Sequence, residues 1–165
     1  MINIKNVKYY PELRKVAELA DEIWHECFVD IISPGQIDYM VEKFQSLGAM
    51  TNQIENQSYL YFAVCDDEDL CGYIAVKPEE DDRFFLSKLY LRSDKRGRGI
   101  ASLMMNYVFD TARKAGKKSV YLTVNKYNSH AVEVYKKIGY KLIDSVVTDI
   151  GGGYVMDDYI FSYAL

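Results

Sequence analysis

Cysteine, proline, histidine and tryptophan are scarce in this chain: three, three, two and one residue among 165. Cys27, Cys65 and Cys71 are odd in number and show no CxxC spacing, so neither a disulfide framework nor a zinc site has sequence support, and no metal is expected. His25 and His130 stand alone, with no motif that gives either one chemistry. No run of about 18 apolar residues occurs. Met1 to Lys8 ("MINIKNVK") lacks the apolar core of a secretory signal, so a cytoplasmic location without a membrane partner is the expectation.

What is present is apolar and aromatic. The chain is 49% hydrophobic and 14% aromatic, enough for one well-packed domain spanning 1–165 and too short for two ordinary ones. Its net charge of −4 hides a split. Met1 to Asp82 carries 6 Lys and Arg against 17 Asp and Glu, whereas Arg83 to Leu165 carries 14 against 7. Such a division suits a protein whose C-terminal half grips an anion while its N-terminal half faces a cation.

Periodicity sets out the elements. Asn3 to Lys8 reads as a short strand, and Leu13, Val16, Ala17, Ala20, Ile23, Trp24 and Phe28 give a first helix after Pro11. "SPGQIDYMVEKF" predicts a second, with Ser33 as N-cap, Pro34 at the first position, Gln36 completing a capping box and Gly48 ending it. "SYLYFAVC" and "CGYIAVKP" flank the acidic loop Asp66–Asp69 as a hairpin, and "RFFLSKLYL" is a further strand. A helix opens at Ile100 and stops at Gly116, Ser119 to Val124 alternates as a strand, and Ala131, Val134, Tyr135 and Ile138 define a last helix closed by Gly139. The tail folds into a hairpin at Gly151–Gly153, and its aromatic strand is also a possible homodimer edge. The order predicts a mixed α/β fold around one sheet.

The sharpest segment is "RGRGIA", Arg96 to Ala101, at the mouth of the third long helix. A helix leaves its first amides unpaired and slightly positive. Gly97 and Gly99 let a phosphate approach those amides, and Arg96 and Arg98 add charge. A strand-to-helix turn that simply needs glycine is the alternative. A P-loop is absent, and a dinucleotide GxGxxG is broken by Ser102. "DKRGRG" has only three basic residues and no recognition-helix signature, so no nucleic-acid partner is expected.

Arg96-x-x-Gly99-x-Ala101 resembles the R/Q-x-x-G-x-G/A signature of the GCN5-related N-acetyltransferase (GNAT) superfamily. Leu122-x-Val124-x-x-x-Asn128-x-x-Ala131-x-x-x-Tyr135-x-x-x-Gly139-Tyr140 resembles its second motif at every fixed position. The detailed likeness covers about Phe84 to Tyr140. It implies the GNAT acyl-CoA N-acyltransferase fold, with splayed fourth and fifth strands. It also implies acetyl-CoA as co-substrate and direct acetyl transfer to a primary amine. By the same resemblance the pantetheine arm pairs with the backbone of Leu89 and Leu91, and a backbone N–H near Leu89 or Tyr90 stabilises the oxyanion. Arg96, Gly97, Arg98, Gly99, Ile100 and Ala101 hold the pyrophosphate, Asn128 and Ala131 line the coenzyme, and Tyr135 protonates the departing thiolate. Lys95, Arg98, Lys136 and Lys137 are candidates for the 3′-phosphate.

Many relatives place a glutamate on the fourth strand as general base. Here Ser87 and Lys88 occupy that stretch, leaving Glu26, Glu79 and Asp157 as candidates acting through water. "IISPGQIDYM" and "GYVMDDY" more weakly resemble bacterial polyamine N-acetyltransferases, and the pair Asp157, Asp158 suits a small cationic acceptor. The alternative is a module of the same fold that binds acetyl-CoA without turnover.

Overall fold

A computed structural model describes all residues, Met1–Leu165. The first strand and helix are β1 (Ile2–Val7) and α1 (Glu12–Cys27), followed by α2 (Pro34–Met40) and α3 (Leu47–Asn56). Three strands come next, β2 (Leu60–Asp66), β3 (Asp69–Pro78) and β4 (Arg83–Leu91). Then come α4 (Ile100–Lys114), β5 (Ser119–Asn125), α5 (Ser129–Ile138), β6 (Lys141–Gly151) and β7 (Tyr154–Ala164). The strands form one seven-stranded sheet in the order β1-β2-β3-β4-β5-β7-β6.

One sheet face packs on α4 and α5 through Phe84, Leu86, Met104, Val108, Leu122 and Phe161. The other receives α1 and α3 on Tyr61, Ala63, Tyr73 and Ala75. A smaller apolar cluster of Trp24, Phe28, Ile37, Met40 and Ile150 joins the end of α1 to α2 and the β6–β7 end.

The segment 33–56 departs from the sequence expectation. Ser33 caps α2 as expected, accepting from the Gln36 amide at 3.1 Å. Gln36 does not complete a capping box, because its side chain reaches across to the Val155 carbonyl at 2.8 Å. The helix widens into a π turn at Val41–Gln45 and breaks at Ser46, which is extended (φ −75°, ψ 161°) and caps α3 through its hydroxyl. Gly48 therefore lies inside α3 rather than ending α2. A side chain able to cap free amides outcompeted the glycine as the boundary.

The aromatic tail strand β7 is interior, between β5 and β6, so it is not itself an edge; β6 is. All neighbouring strands are antiparallel except β4 and β5, which run parallel and pair only at Arg83–Ser119, Phe84–Val120 and Phe85–Tyr121. Beyond that point they diverge, and the opened sheet forms the site.

Candidate active site

The gap between β4 and β5 is a cavity of about 320 Å³. Leu86–Tyr90 of β4 form one wall, and Leu122–Asn125 of β5 with Asn128, Ala131 and Tyr135 of α5 form the other. Trp24, Phe28, Gln36, Met40 and Phe44 close it from α1, α2 and the π turn, and Met156 and Asp158 close it from β7.

At the mouth of the gap, Gly97 (φ +74°) and Gly99 (φ +78°) turn the chain from a short 3-10 turn (Ser93–Lys95) into α4. No side chain caps α4, whereas Ser33, Ser46 and Asn128 cap α2, α3 and α5. The first amides of a fifteen-residue helix are thus left for a ligand, and an anion with several acceptor oxygens fits them. Ile100 is buried in the core, so only its backbone is available; Ala101 is exposed.

The basic side chains around this turn have partners. Arg96 donates to the Leu91 carbonyl at 3.3 Å and lies 2.8 Å from the Cys27 sulfur. Lys95 reaches Asp66 at 3.2 Å and Asp69 at 3.3 Å, and Arg98 reaches Asp66 at 3.2 Å. Arg92, with Lys95 adding to it, draws the Asp69 carboxyl down to about 2. Lys136 sits 3.8 Å from Glu133. The acidic hairpin between β2 and β3 therefore grips two of the residues expected at a 3′-phosphate, and the Leu91 carbonyl is engaged rather than free.

Deeper in, the Asn128 side-chain oxygen caps the Ala131 amide at 3.3 Å, which leaves its NH₂ available to the cavity. Tyr135 packs edge-on against Tyr140 at 5.7 Å between ring centroids, and its hydroxyl makes no hydrogen bond within the protein. Burial pushes that phenol up to about 12, so it keeps its proton at neutral pH. The Tyr90 ring packs among Trp24, Phe28 and Tyr73, and burial raises its phenol well above the ordinary value.

Lys88 and Asp158 are charged residues buried in the cavity wall, 4% and 6% exposed. The Lys88 ammonium donates to the Phe44 carbonyl, Gln53 and Tyr61. It faces no carboxylate, and burial draws it down to about 7. Asp158 has neither a hydrogen-bond nor an ion-pair partner. Burial first, then the neighbouring Asp157, lifts it to about 6 against the opposing pull of Lys126.

Two of the three sequence-named base candidates are engaged and the third faces solvent. Asp157 is paired with Lys126 at 2.8 Å, Glu79 accepts from the Tyr121 hydroxyl at 2.6 Å, and Glu26 is exposed on α1. None lines the cavity. In the alternation of β7, Met156, Asp158 and Ile160 share one face; an acid in phase with apolar residues was the available signal for Asp158.

A splayed parallel pair, an uncapped helix N-terminus after β4 and the Tyr135 phenol inside the cavity are the arrangement that the resemblance to the acyl-CoA N-acyltransferases implied. Residues 16–140 match the acetyltransferase (GNAT) family, and the chain belongs to it. It is accordingly an acetyl-CoA-dependent N-acetyltransferase. An uncharacterised N-acetyltransferase of Mycobacterium bovis is 29% identical over 129 residues, covering 78% of this chain and 82% of that one. The chloroplastic GCN5-related N-acetyltransferase 6 of Arabidopsis thaliana is 31% identical over 74 residues, 44% of this chain and only 26% of its own length. The fold is shared with the crystal structure of PaiA N-acetyltransferase from Thermoplasma acidophilum in complex with coenzyme A, at a TM-score of 0.82, 22% identity and coverage of 100% and 99%.

Proposed function

We propose that this protein, as a single domain over 1–165, N-acetylates the primary amine of a small cationic acceptor by direct attack in a ternary complex. The observation that carries this is the juxtaposition in one cavity of Tyr135, a proton-bearing phenol with no internal partner, and the open edge of β4. Acetyl-CoA supplies the acetyl group as an activated thioester. The amides of Gly97, Gly99, Ile100 and Ala101, with Arg96 and Arg98 beside them, receive its pyrophosphate, and Asn128 and Ala131 line its arm. Leu89 offers its backbone groups along the splayed edge and Leu91 its N–H, its carbonyl being held by Arg96; the Leu89 or Tyr90 N–H faces the developing oxyanion, and Tyr135 delivers a proton to the leaving sulfur. Three free cysteines suit a reducing compartment, which supports a cytoplasmic setting.

A polyamine-like acceptor draws support from Glu80 in a second depression, although Lys77 and Arg83 also line it and its other acids are engaged, Asp81 by Arg83 at 2.9 Å and Glu79 by the Tyr121 hydroxyl at 2.6 Å. The main cavity offers one free carboxylate. Thiol release across 2-phenylethylamine, spermidine, aminoglycosides and peptide N-termini tests the acceptor class; turnover confined to uncharged amines would sink it. Tyr135→Phe should lower kcat by about 10²-fold while leaving CoA affinity within about twofold, and an unchanged rate would remove Tyr135 from its role.

A further inference from the structure

We propose that Asp158 is the seat of the acceptor's ammonium group and the first acceptor of its proton. This rests on the acetyl transfer proposed above, and on neither of the sequence motifs. Asp158 lines the cavity from β7, the strand beyond β5, is 6% exposed, and has no partner in the protein. An unpaired carboxylate so deeply enclosed is costly unless a cation arrives to meet it.

The surroundings leave that place to a ligand. On β7 its neighbour Asp157 already holds Lys126, the cation that acts on Asp158, at 2.8 Å. From β4 come the Tyr90 phenol and the Lys88 ammonium, and Lys88 spends its hydrogen bonds on Phe44, Gln53 and Tyr61. From α5 comes Tyr135; β5 contributes the neutral Asn125 as cross-strand partner, and β6 contributes Val146. α1, α2 and the π turn present Trp24, Phe28, Gln36, Met40 and Phe44. The main cavity therefore takes one primary ammonium on an apolar stem, and any further ammonium of a polyamine-like acceptor lies outside it. Lys88, drawn down to about 7 and so still partly protonated at neutral pH, disfavours a second positive charge placed toward it.

The protons balance. The ammonium loses one proton to the Asp158 carboxylate, directly or through a water, and that proton passes on to solvent. The neutral nitrogen then forms the C–N bond as the C–S bond breaks; the sulfur takes a proton from Tyr135, which regains one from the nitrogen. An amine near 10.4 is almost wholly protonated at neutral pH. A carboxyl lifted to about 6 is a better match for it than one at the ordinary value, yet remains ionised at pH 7.

The test uses Asp158→Asn and Asp158→Glu with 2-phenylethylamine and acetyl-CoA. The Asn variant should keep CoA affinity within about twofold, lose about 10²-fold in kcat/KM for the amine, and lack the fall in kcat/KM expected of the wild type below about pH 6. The Glu variant should recover part of both. Equal kcat/KM and an unchanged pH profile in the Asn variant would overturn the proposal, while the wild-type rate separately tests the transferase function. Should the amine not turn over, binding decides: 2-phenylethylammonium must raise the Tm of the CoA-saturated wild type at pH 7.5 and not that of the Asn variant. Equal shifts would likewise overturn it.

Discussion

Lys88 is the residue whose surroundings differ most from those of an ordinary surface lysine. Three oxygen acceptors favour its ammonium, and enclosure favours the neutral amine; the second is larger and brings it down to about 7. A base with a folded pKa below its unfolded value takes up fewer protons when folded, so stability rises with pH between the two values. Relative to Lys88→Met, the wild type should gain about 1–2 kcal/mol of unfolding free energy between pH 7 and pH 9, read from urea titrations at both values. A constant difference would mean that the amine does not titrate there. The position was not legible in sequence because of a bulge. Ala75 pairs with Lys88 and Val76 with Leu86, leaving Ser87 as the extra residue on β4. Strict alternation would set Lys88 on the face of Leu86; the bulge turns it to the opposite face, toward Tyr61 and α3.

At the scale of the element, the entry to α4 and the opening of the β4–β5 pair make the site. Gly99 holds a left-handed conformation (φ +78°) with open space where a Cβ would stand, so its requirement is conformational rather than steric. Gly99→Ala should therefore cost about 1 kcal/mol of stability and about tenfold in CoA affinity as the first turn shifts, measured by calorimetric titration. Unchanged affinity would place the pyrophosphate elsewhere. This turn and the α5 motif were readable beforehand, since glycine spacing, N-caps and helical periodicity are local properties. The break at Ser46 and the cavity roof of Trp24, Phe28 and Met40 were less so. Their apolar residues looked like any helix stripe, and only the packing of α1 and α2 over an opened sheet turned that stripe toward a ligand.

Across the whole molecule, the charge split of the two halves has a different outcome from the one the sequence suggested. Part of it is spent internally. Asp66 and Asp69 from the acidic half hold Arg92, Lys95 and Arg98 from the basic half, and the N-terminal ammonium joins Asp67 at 2.9 Å. The cations nearest the α4 entrance are thereby partly neutralised. Asp66→Asn should release Arg98, and loosen Lys95, which Asp69 still holds at 3.3 Å, and so strengthen CoA binding by about two- to fivefold at low salt; the gain should disappear at about 1 M salt, where screening is nearly complete. An affinity that does not respond would show that neither cation meets the coenzyme. The amino-acid sequence alone determined the mixed α/β order, the glycine entry to α4, the Ser33 cap and the α5 motif, because each is fixed by residues close together along the chain. Tertiary structure alone decided which charged groups are free. Asp158 and Lys88 became the buried charges of the cavity, while Asp157, Glu79, Lys95 and Arg98 found partners. Pairing and burial depend on distances between strands and helices far apart in the chain, and no local pattern encodes those.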